Sequence, residues 1–248
     1  MKRISTILLG LVLCLGLFLT LPTAEAAGDV TVNAANFPDA NFRSYVSANC
    51  DANGNGVLSA TEITAVKTIN VANKDIGSLT GVEYFTALTY LNCSGNWLME
   101  LNVDQHSDLN WLDVSNNTDL TELSCRLCAL TKLNVTGCPA LETLNFDYNQ
   151  LTALDVSGCT ALETLYCYNN LLTALDVSAN AALKTLYCEN NRFAVLDIGA
   201  SPNLVNAYLN GMRYNGETYY EYIKDGDALC VDKTTEVLSE TPVPVITT

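Results

Sequence analysis

Leucine returns at a fixed interval through the middle of this chain, and that regularity narrows the possible folds more than any other feature. Leu88, Leu109, Leu130, Leu151, Leu172 and Phe193 stand 21 residues apart. Three residues after each comes Leu91, Leu112, Leu133, Leu154, Leu175 or Leu196. Two further on stand Cys93, Val114, Val135, Val156, Val177 and Ile198. Eight residues after each start lie Asn96, Asn117, Cys138, Cys159, Asn180 and Ser201. A unit this short cannot bury its apolar face alone, so successive units must stack and share one core. The Leu and Val positions point inward from a short strand. Asn or Cys falls at the following turn, where a buried side chain can satisfy backbone groups of the neighbouring coil.

A second copy of the pattern occupies the other half of each coil. It runs through Leu120, Leu141, Leu162, Leu183 and Leu204, with inward partners Leu123, Leu144, Leu165 and Leu186, then Cys125, Phe146, Cys167, Cys188 and Leu209. Its turn positions are Cys128, Asn149, Asn170 and Asn191. Each coil thus carries two strand-like segments, stacked into two parallel ladders. The pattern L-x-x-L-x-C-x-x-N/C starts at Leu88 and next at Leu120, about one and a half coils later, so it changes faces. The unbroken series from Leu88 to Phe193 sets the register, and the sequence alone supplies no reason for the change. Upstream, Val66 to Val71 reads as the first strand, and Ile76, Leu79, Val82 and Phe85 close a 22-residue coil to Leu88. From Val66 to about Arg213 the pattern resembles the leucine-rich repeats of bacterial internalin-like proteins. That resemblance implies a curved solenoid used for binding rather than catalysis, and it names no partner.

Residues 51 to 62 match D-x-[DN]-x-[DN]-G-x5-E at every required place. Asp51, Asn53 and Asn55 supply side-chain oxygens, Gly56 the sharp turn, Val57 a carbonyl, Ser59 a direct or water-mediated contact, and Glu62 a bidentate clamp for calcium. The segment resembles single EF-hand or dockerin-like loops. Flanking helices are expected over Asp39 to Asn49, with Phe42, Tyr45 and Val46 on one face, and from Ser59 to about Lys67. The same residues also spell a helix start, because Ser59-Ala60-Thr61-Glu62 is a capping box. With only two carboxylates in the loop, an extracellular-type affinity of roughly 10⁻⁴ to 10⁻³ M is expected. That suits an ion pinning a helical cap over the first coil.

The expected fold is therefore a leucine-rich-repeat solenoid, mostly β with two parallel strand ladders, a small helical EF-hand-like N-terminal cap and a β-hairpin C-terminal cap. Its segments are 1–26, 27–65, 66–213 and 214–248. The first is a signal peptide: Lys2 and Arg3 precede an apolar run from Ile7 to Leu21, and Ala24-Glu25-Ala26 offers a cleavage site after Ala26. A lipoprotein reading through Cys14 meets Leu13 where a small residue is required. The C-terminal hairpin is placed at Thr218 to Ile223 and Ala228 to Asp232, around the turn Lys224-Asp225-Gly226-Asp227. Ser239 to Thr248 reads as a loose tail.

Twelve Lys and Arg against 27 Asp and Glu give a net charge of −15, which repels phosphate backbones and anionic lipids. Neither nucleic-acid binding nor membrane insertion of the mature chain is expected. The lone histidine, His106, removes most imidazole-based catalysis. Nine cysteines follow the signal peptide, seven of them at inward or turn positions where a thiol is a small apolar filler. Cys138/Cys159 and Cys167/Cys188 are expected to be neighbours on adjacent coils.

Two outward rows on the second ladder point to a binding surface. One carries Ser124, Asn145, Tyr166, Tyr187 and Tyr208, the next Arg126, Asp147, Tyr168, Glu189 and Asn210. Stacked tyrosines rimmed by acids and amides are low-entropy anchors for protein or sugar faces. Tyr also simply favours exposed strands. The first ladder shows Asp113, Asn134, Asp155, Asp176 and Asp197, read as a solvated, hydrogen-bonded row rather than a metal row. The reading is a monomeric secreted module, not an enzyme, that recognises a protein or glycan on a cell or matrix surface. The alternative is a structural or surface-coat protein without a specific ligand.

Overall fold

The structure, a computed structural model, describes residues 28–193, 195–197, 203–204, 206–208, 212–214, 217–219 and 236–238. Residues 1–27, with the expected signal peptide, Ile198, Ser201, Leu209, Asn210, Cys230, residues 220–235 and the expected tail lie outside that set. Side chains at Tyr208 and Asp197 also lie outside it.

The described residues begin with a small cap. Strand β1 (Val30–Thr31) pairs antiparallel with β2 (Val57–Leu58) across the loop of residues 51–62. Helix α1 (Ala40–Asn49) starts because Asp39 accepts from the N–H groups of Asn41 and Phe42, each at 2.9 Å. The other Asp39 oxygen takes the Gly77 N–H at 2.9 Å, so one carboxylate both caps the helix and ties it to the first coil. Phe42 and Val46 are buried on the inner face, and Tyr45 is half-buried with its hydroxyl accepting from Asn70 N–H. Phe37 packs at ring-centroid distances of 6.0, 5.7 and 6.3 Å against Phe42, Tyr84 and Phe85. Helix α2 (Ala60–Ala65) is shorter than expected. Val66 turns extended at φ −75°, ψ 106° so that the chain can enter the first ladder.

From there the chain winds as a solenoid of short parallel strands. β3 (Thr68–Asn70), β4 (Tyr90–Asn92), β6 (Trp111–Asp113) and β8 (Lys132–Asn134) form the first ladder. β5 (Glu100–Asn102), β7 (Glu122–Ser124), β9 (Thr143–Asn145), β10 (Thr164–Tyr166), β11 (Thr185–Tyr187) and β13 (Asn206–Tyr208) form the second. Central residues pair in register, Ile69 to Leu91 to Leu112 to Leu133 and Leu101 to Leu123 to Leu144 to Leu165 to Leu186. Leu109, Leu130, Leu151 and Leu172 are fully buried, and Gln150 N–H to Leu130 O and Leu171 N–H to Leu151 O link their turns coil to coil. One apolar cluster runs from Phe37 to Ala207.

The first ladder is less complete than the period implies. Residues 153–155 form no strand, and residues 174–176 make only a single bridge at Asp176. Ala153 and Ala174 stand there in place of Trp111 and Lys132, so those coils lack cross-strand partners on the outer face. β12 (Val195–Asp197) resumes the position but pairs with β16 (Glu236–Leu238). A C-terminal hairpin exists earlier than expected: β14 (Met212–Tyr214) pairs antiparallel with β15 (Glu217–Tyr219). Thr218 and Tyr219 thus face Arg213 and Met212. The sequence between them is Asn215-Gly216, a strong hairpin signal. The rest of the expected Thr218–Asp232 hairpin lies outside the described residues.

The turns explain why the pattern changes faces. Successive inward leucines are ten residues apart from Leu91 to Leu101, then eleven to Leu112 and eleven again to Leu123, then ten to Leu133. Two long halves in a row move the short half from one face to the other. In a long half the leucine closing the turn donates its N–H locally: Leu109 to His106 O, Leu120 to Asn117 O, Leu141 to Cys138 O, Leu162 to Cys159 O and Leu183 to Asn180 O. In a short half no such carbonyl is in place. Leu98, Leu130, Leu151 and Leu172 donate instead to Oδ1 of Asn117, Asn149, Asn170 and Asn191 on the next coil, at 2.9–3.1 Å. Only an amide can accept there while its Nδ2 donates to carbonyls.

After a long half the turn residue need only donate, and a thiol suffices. Sγ of Cys138 and Cys128 lies 3.3 and 3.2 Å from the carbonyls of Val114 and Val103 on the preceding coil. His106 takes the same place, with Nδ1 3.0 Å from Val103 O and Nε2 3.3 Å from Val82 O. Asn180 is the telling exception. It follows a long half, and its buried Oδ1 has no partner among the described residues.

Candidate functional site

Parallel register places equivalent residues directly above one another, so a row in the repeat becomes a row in space. On the second ladder Tyr166 and Tyr187 are register partners, and their rings stack at 4.7 Å with an interplanar angle of 9°. Tyr208 continues the row opposite Tyr187. Earlier coils carry Asn145 and Ser124, and Ser124 Oγ bonds Asp104 Oδ1 at 2.7 Å.

The neighbouring row forms a connected column. Arg126 Nε lies 3.9 Å from Asp147 Oδ2, and Tyr168 N–H donates to Asp147 Oδ1 at 3.1 Å. Tyr168 meets Tyr148 edge-on at 5.1 Å, and Tyr148 is half exposed. Asp147 is 1% exposed although it belongs to an outward row. Burial raises its carboxyl to about 7, outweighing the hydrogen bonds from Tyr168 and the pull of Arg126. Burial likewise raises Glu189, whose Oε2 is enclosed without a hydrogen-bond partner among the described residues. The Tyr168 hydroxyl is raised by burial and by the Asp147 charge. Arg126, Tyr166, Tyr168, Tyr187 and Glu189 therefore share one surface, with Asp147, expected there from the sequence, buried beneath it.

The outer row of the first ladder is built differently. Asp113, Asp155 and Asp176 each accept the N–H of the serine two residues on at 2.9 Å. Hydrogen bonds from Ser157 and Ser178 hold Asp155 and Asp176 below the usual carboxylate range. This is the hydrogen-bonded row expected from the sequence. A stacked pair at its start was not foreseen: Tyr90 and Trp111 lie 4.2 Å apart at 4°. Both precede the inward leucine of their strands, and pairing at a spacing of 21 was the signal.

The loop of residues 51–62 closes on itself. Asp51 accepts from Gly54 N–H and Gly56 N–H, each at 2.8 Å, on its two oxygens. Asn53 and Asn55 bond the N–H two residues ahead. Glu62 reaches back across the loop to Asn53 N–H at 3.2 Å and takes Ser59 N–H at 2.9 Å. The Ser59 bonds hold its carboxyl below the ordinary range. The capping box is thus formed, Glu62 meets the Asn53 N–H, and Asp51 and Asn53 share the Asn55 N–H. Among the described residues no three His, Cys, Asp or Glu side chains gather as a metal cluster. An ion here would depend on the amide of Asn53 or Asn55, the Val57 carbonyl and Ser59 as well as the two acids.

Among the described residues no disulfide joins the eight cysteines, and all but Cys128 are buried. Burial pushes the thiols up, Cys50 to about 11 and Cys159 to about 12. Cys159 feels Cys138, and Cys167 feels Cys188, as neighbours on adjacent coils. Deprotonation this difficult makes them inert filler rather than nucleophiles. Among the described residues no helix is long and apolar enough to cross a membrane.

Comparison with known proteins agrees with the repeat. Residues 139–180 match Leucine Rich repeats (2 copies). Internalin J of Listeria monocytogenes is 34% identical over 88 residues, 36% of this chain. The chain spans about a tenth of that relative's length, the match covering 10% of it. Among solved structures, a functional domain of InlJ from Listeria monocytogenes, which includes a cysteine ladder, is 21% identical with a TM-score of 0.30, covering 71% of this chain and 60% of that one. Internalin C2 from the same organism is 19% identical with a TM-score of 0.34, covering 75% and 90%. The solenoid rests on the strand registers rather than on these superpositions.

Proposed function

We propose that this chain is an internalin-like, secreted bacterial binding module. It recognises a protein or glycan on a cell or matrix surface through the tyrosine-bearing face of its second ladder. The observation that supports this most is the Tyr166–Tyr187 stack beside the Arg126–Asp147–Tyr168–Glu189 column. Flat aromatic surface with few rotamers binds at low entropic cost, and the buried Asp147 beneath it holds Arg126 and the Tyr168 backbone in place. Outward tyrosines scattered without contact would favour a surface coat without a ligand; the Tyr166–Tyr187 contact favours the binding reading.

Calcium belongs to this proposal as a structural ion. Asp51, Asn53, Asn55, Val57, Ser59 and Glu62 fit it by donor chemistry, and the Glu62-to-Asn53 closure brings the ends of the loop together. The ion would supply charge to hold the loop, and through α1 and α2 the cap, over the first coil.

The test is a screen of the chain lacking residues 1–26 on arrays of host proteins and glycans, repeated with Tyr166→Ala/Tyr187→Ala. The reading expects hits that the double variant loses while its melting temperature moves little. Identical hits with both proteins would remove the tyrosine face from the function.

A further inference from the structure

The six-stranded ladder ends at β5, and that end is open. Val103 N–H donates to Ser124 O and Met99 O accepts from Thr121 N–H, each at 2.8 Å, so Met99 and Val103 aim their backbone groups at the following coil. Alternation along the strand turns the N–H and C=O of Glu100 and Asn102 the other way, toward the preceding coil. No strand waits there. The equivalent stretch, residues 78–80, breaks at Gly81 (φ 103°) into a 3-10 turn, Val82–Tyr84. A Cβ on Gly81 would lie 2.3 Å from the Phe37 ring, so close packing of the cap holds this segment in its bent course. Among the described residues no backbone hydrogen bond joins Glu100 or Asn102 to the first coil.

A groove of about 390 Å³ lies between the two segments, with Leu79, Thr80 and Glu83 on one wall and Glu100, Asn102 and Glu122 on the other. Its charged groups are three carboxylates, and no Lys or Arg lines it. Glu83 is fixed there, its Oε2 accepting from Gly81 N–H at 2.8 Å. Glu100 and Glu122 are exposed register partners, an unfavourable like-charge pair about 4.8 Å apart at strand spacing. Immediately before the strand, Trp97 and Met99 are 59% and 65% exposed, among the most exposed large apolar side chains described.

We propose that the β5 edge is a strand-addition site for an extended segment of a partner protein bearing Lys or Arg at alternate positions, with apolar residues between them. The open amides and carbonyls of Glu100 and Asn102 supply the main-chain bonds. An incoming cation relieves the Glu100–Glu122 repulsion, and Trp97 and Met99 offer apolar contact at the entrance. The groove lies three coils from Tyr166, so this surface stands or falls independently of the tyrosine face.

The test uses the chain lacking residues 1–26 and three synthetic octapeptides: alternating Lys-Val, the same peptide N-methylated on every second amide, and alternating Glu-Val. Binding is read by titration and by residue-resolved amide exchange. The Lys-Val peptide should bind at least about tenfold tighter than either control and weaken with salt. It should also slow exchange at Glu100 and Asn102 by about tenfold or more. Glu100→Gln/Glu122→Gln should lower its affinity without lowering the melting temperature. Absence of binding at about 1 mM would overturn the proposal and leave the glutamates as guards of a bare edge. So would indifference to N-methylation, or protection elsewhere. Glu100 and Asn102 amides already protected in the free chain would also overturn it, assigning the edge to a second copy if protection rises with concentration and to the chain's own segment if it does not.

Discussion

Replacing Asn170 and Asn180 by the same residue, cysteine, should have opposite consequences. Both side chains are buried at the turn of a coil, and both donate Nδ2 to carbonyls of the coil before. They differ in what Oδ1 does. Asn170 Oδ1 accepts from Leu151 N–H at 3.1 Å, whereas Asn180 Oδ1 has no partner among the described residues because Leu162 N–H is satisfied by Cys159 O. A thiol at 170 can still donate to Phe146 O but leaves Leu151 N–H buried without an acceptor, at about 1–3 kcal/mol. At 180 a thiol reproduces what Cys138 and Cys159 do already and removes an unsatisfied oxygen. Its expected effect is within about 0.5 kcal/mol of zero. Urea unfolding reads both, with midpoints compared at constant slope. Asn170→Cys should lower the melting temperature by about 2–4 °C per kcal/mol lost, and Asn180→Cys should leave it nearly unchanged. Equal losses at the two sites would refute the rule that short halves demand an amide and long halves do not.

Calcium at about 10 mM should raise stability by about 1.4–2.7 kcal/mol for an affinity of 10⁻³ to 10⁻⁴ M, and Asp51→Ala or Glu62→Gln should abolish the rise in calorimetry. An unchanged melting temperature in the parent chain would leave the loop as a helix cap alone. Asp147 is pushed up to about 7 when folded, well above an unfolded aspartate. Between about pH 4 and 7 the folded chain therefore keeps a proton that the unfolded chain has lost, so this group makes stability fall as pH rises through that window. Asp147→Asn should flatten that part of the pH profile while preserving the acceptor for Tyr168 N–H; an unchanged slope would show that burial does not control the group.

Much of the architecture was legible because a period of 21 leaves one economical solution: coils stacked with Leu91, Leu112 and Leu133 inside. The tyrosine rows were legible for the same reason, since register turns spacing into adjacency, whereas the closed loop of residues 51–62 was legible from its own spacing of Asp, Asn, Gly and Glu. The change of face was visible at Leu120, but its cause was not. It lies in which leucine N–H groups find a carbonyl in their own turn, a property of backbone geometry rather than of residue pattern. His106 was hidden for a related reason: it stands 22 rather than 21 residues before Cys128, at the coil where two long halves meet. The burial of Asp147 and the open edge at Glu100 depend on how the column and the cap pack, which no local motif encodes. Loss of the regular first ladder beyond Asn134 traces to Ala153 and Ala174, small residues that a pattern built on leucines passes over.

The most direct test of the binding reading is an amide chemical-shift map of the chain lacking residues 1–26, titrated with whichever array ligand it retains. Perturbations concentrated on Asn145, Asp147, Tyr166, Tyr168, Tyr187 and Glu189, along one flank of the second ladder, are the expected result. Perturbations centred on Asp113, Asp155 and Asp176 instead would place recognition on the opposite ladder and contradict the account.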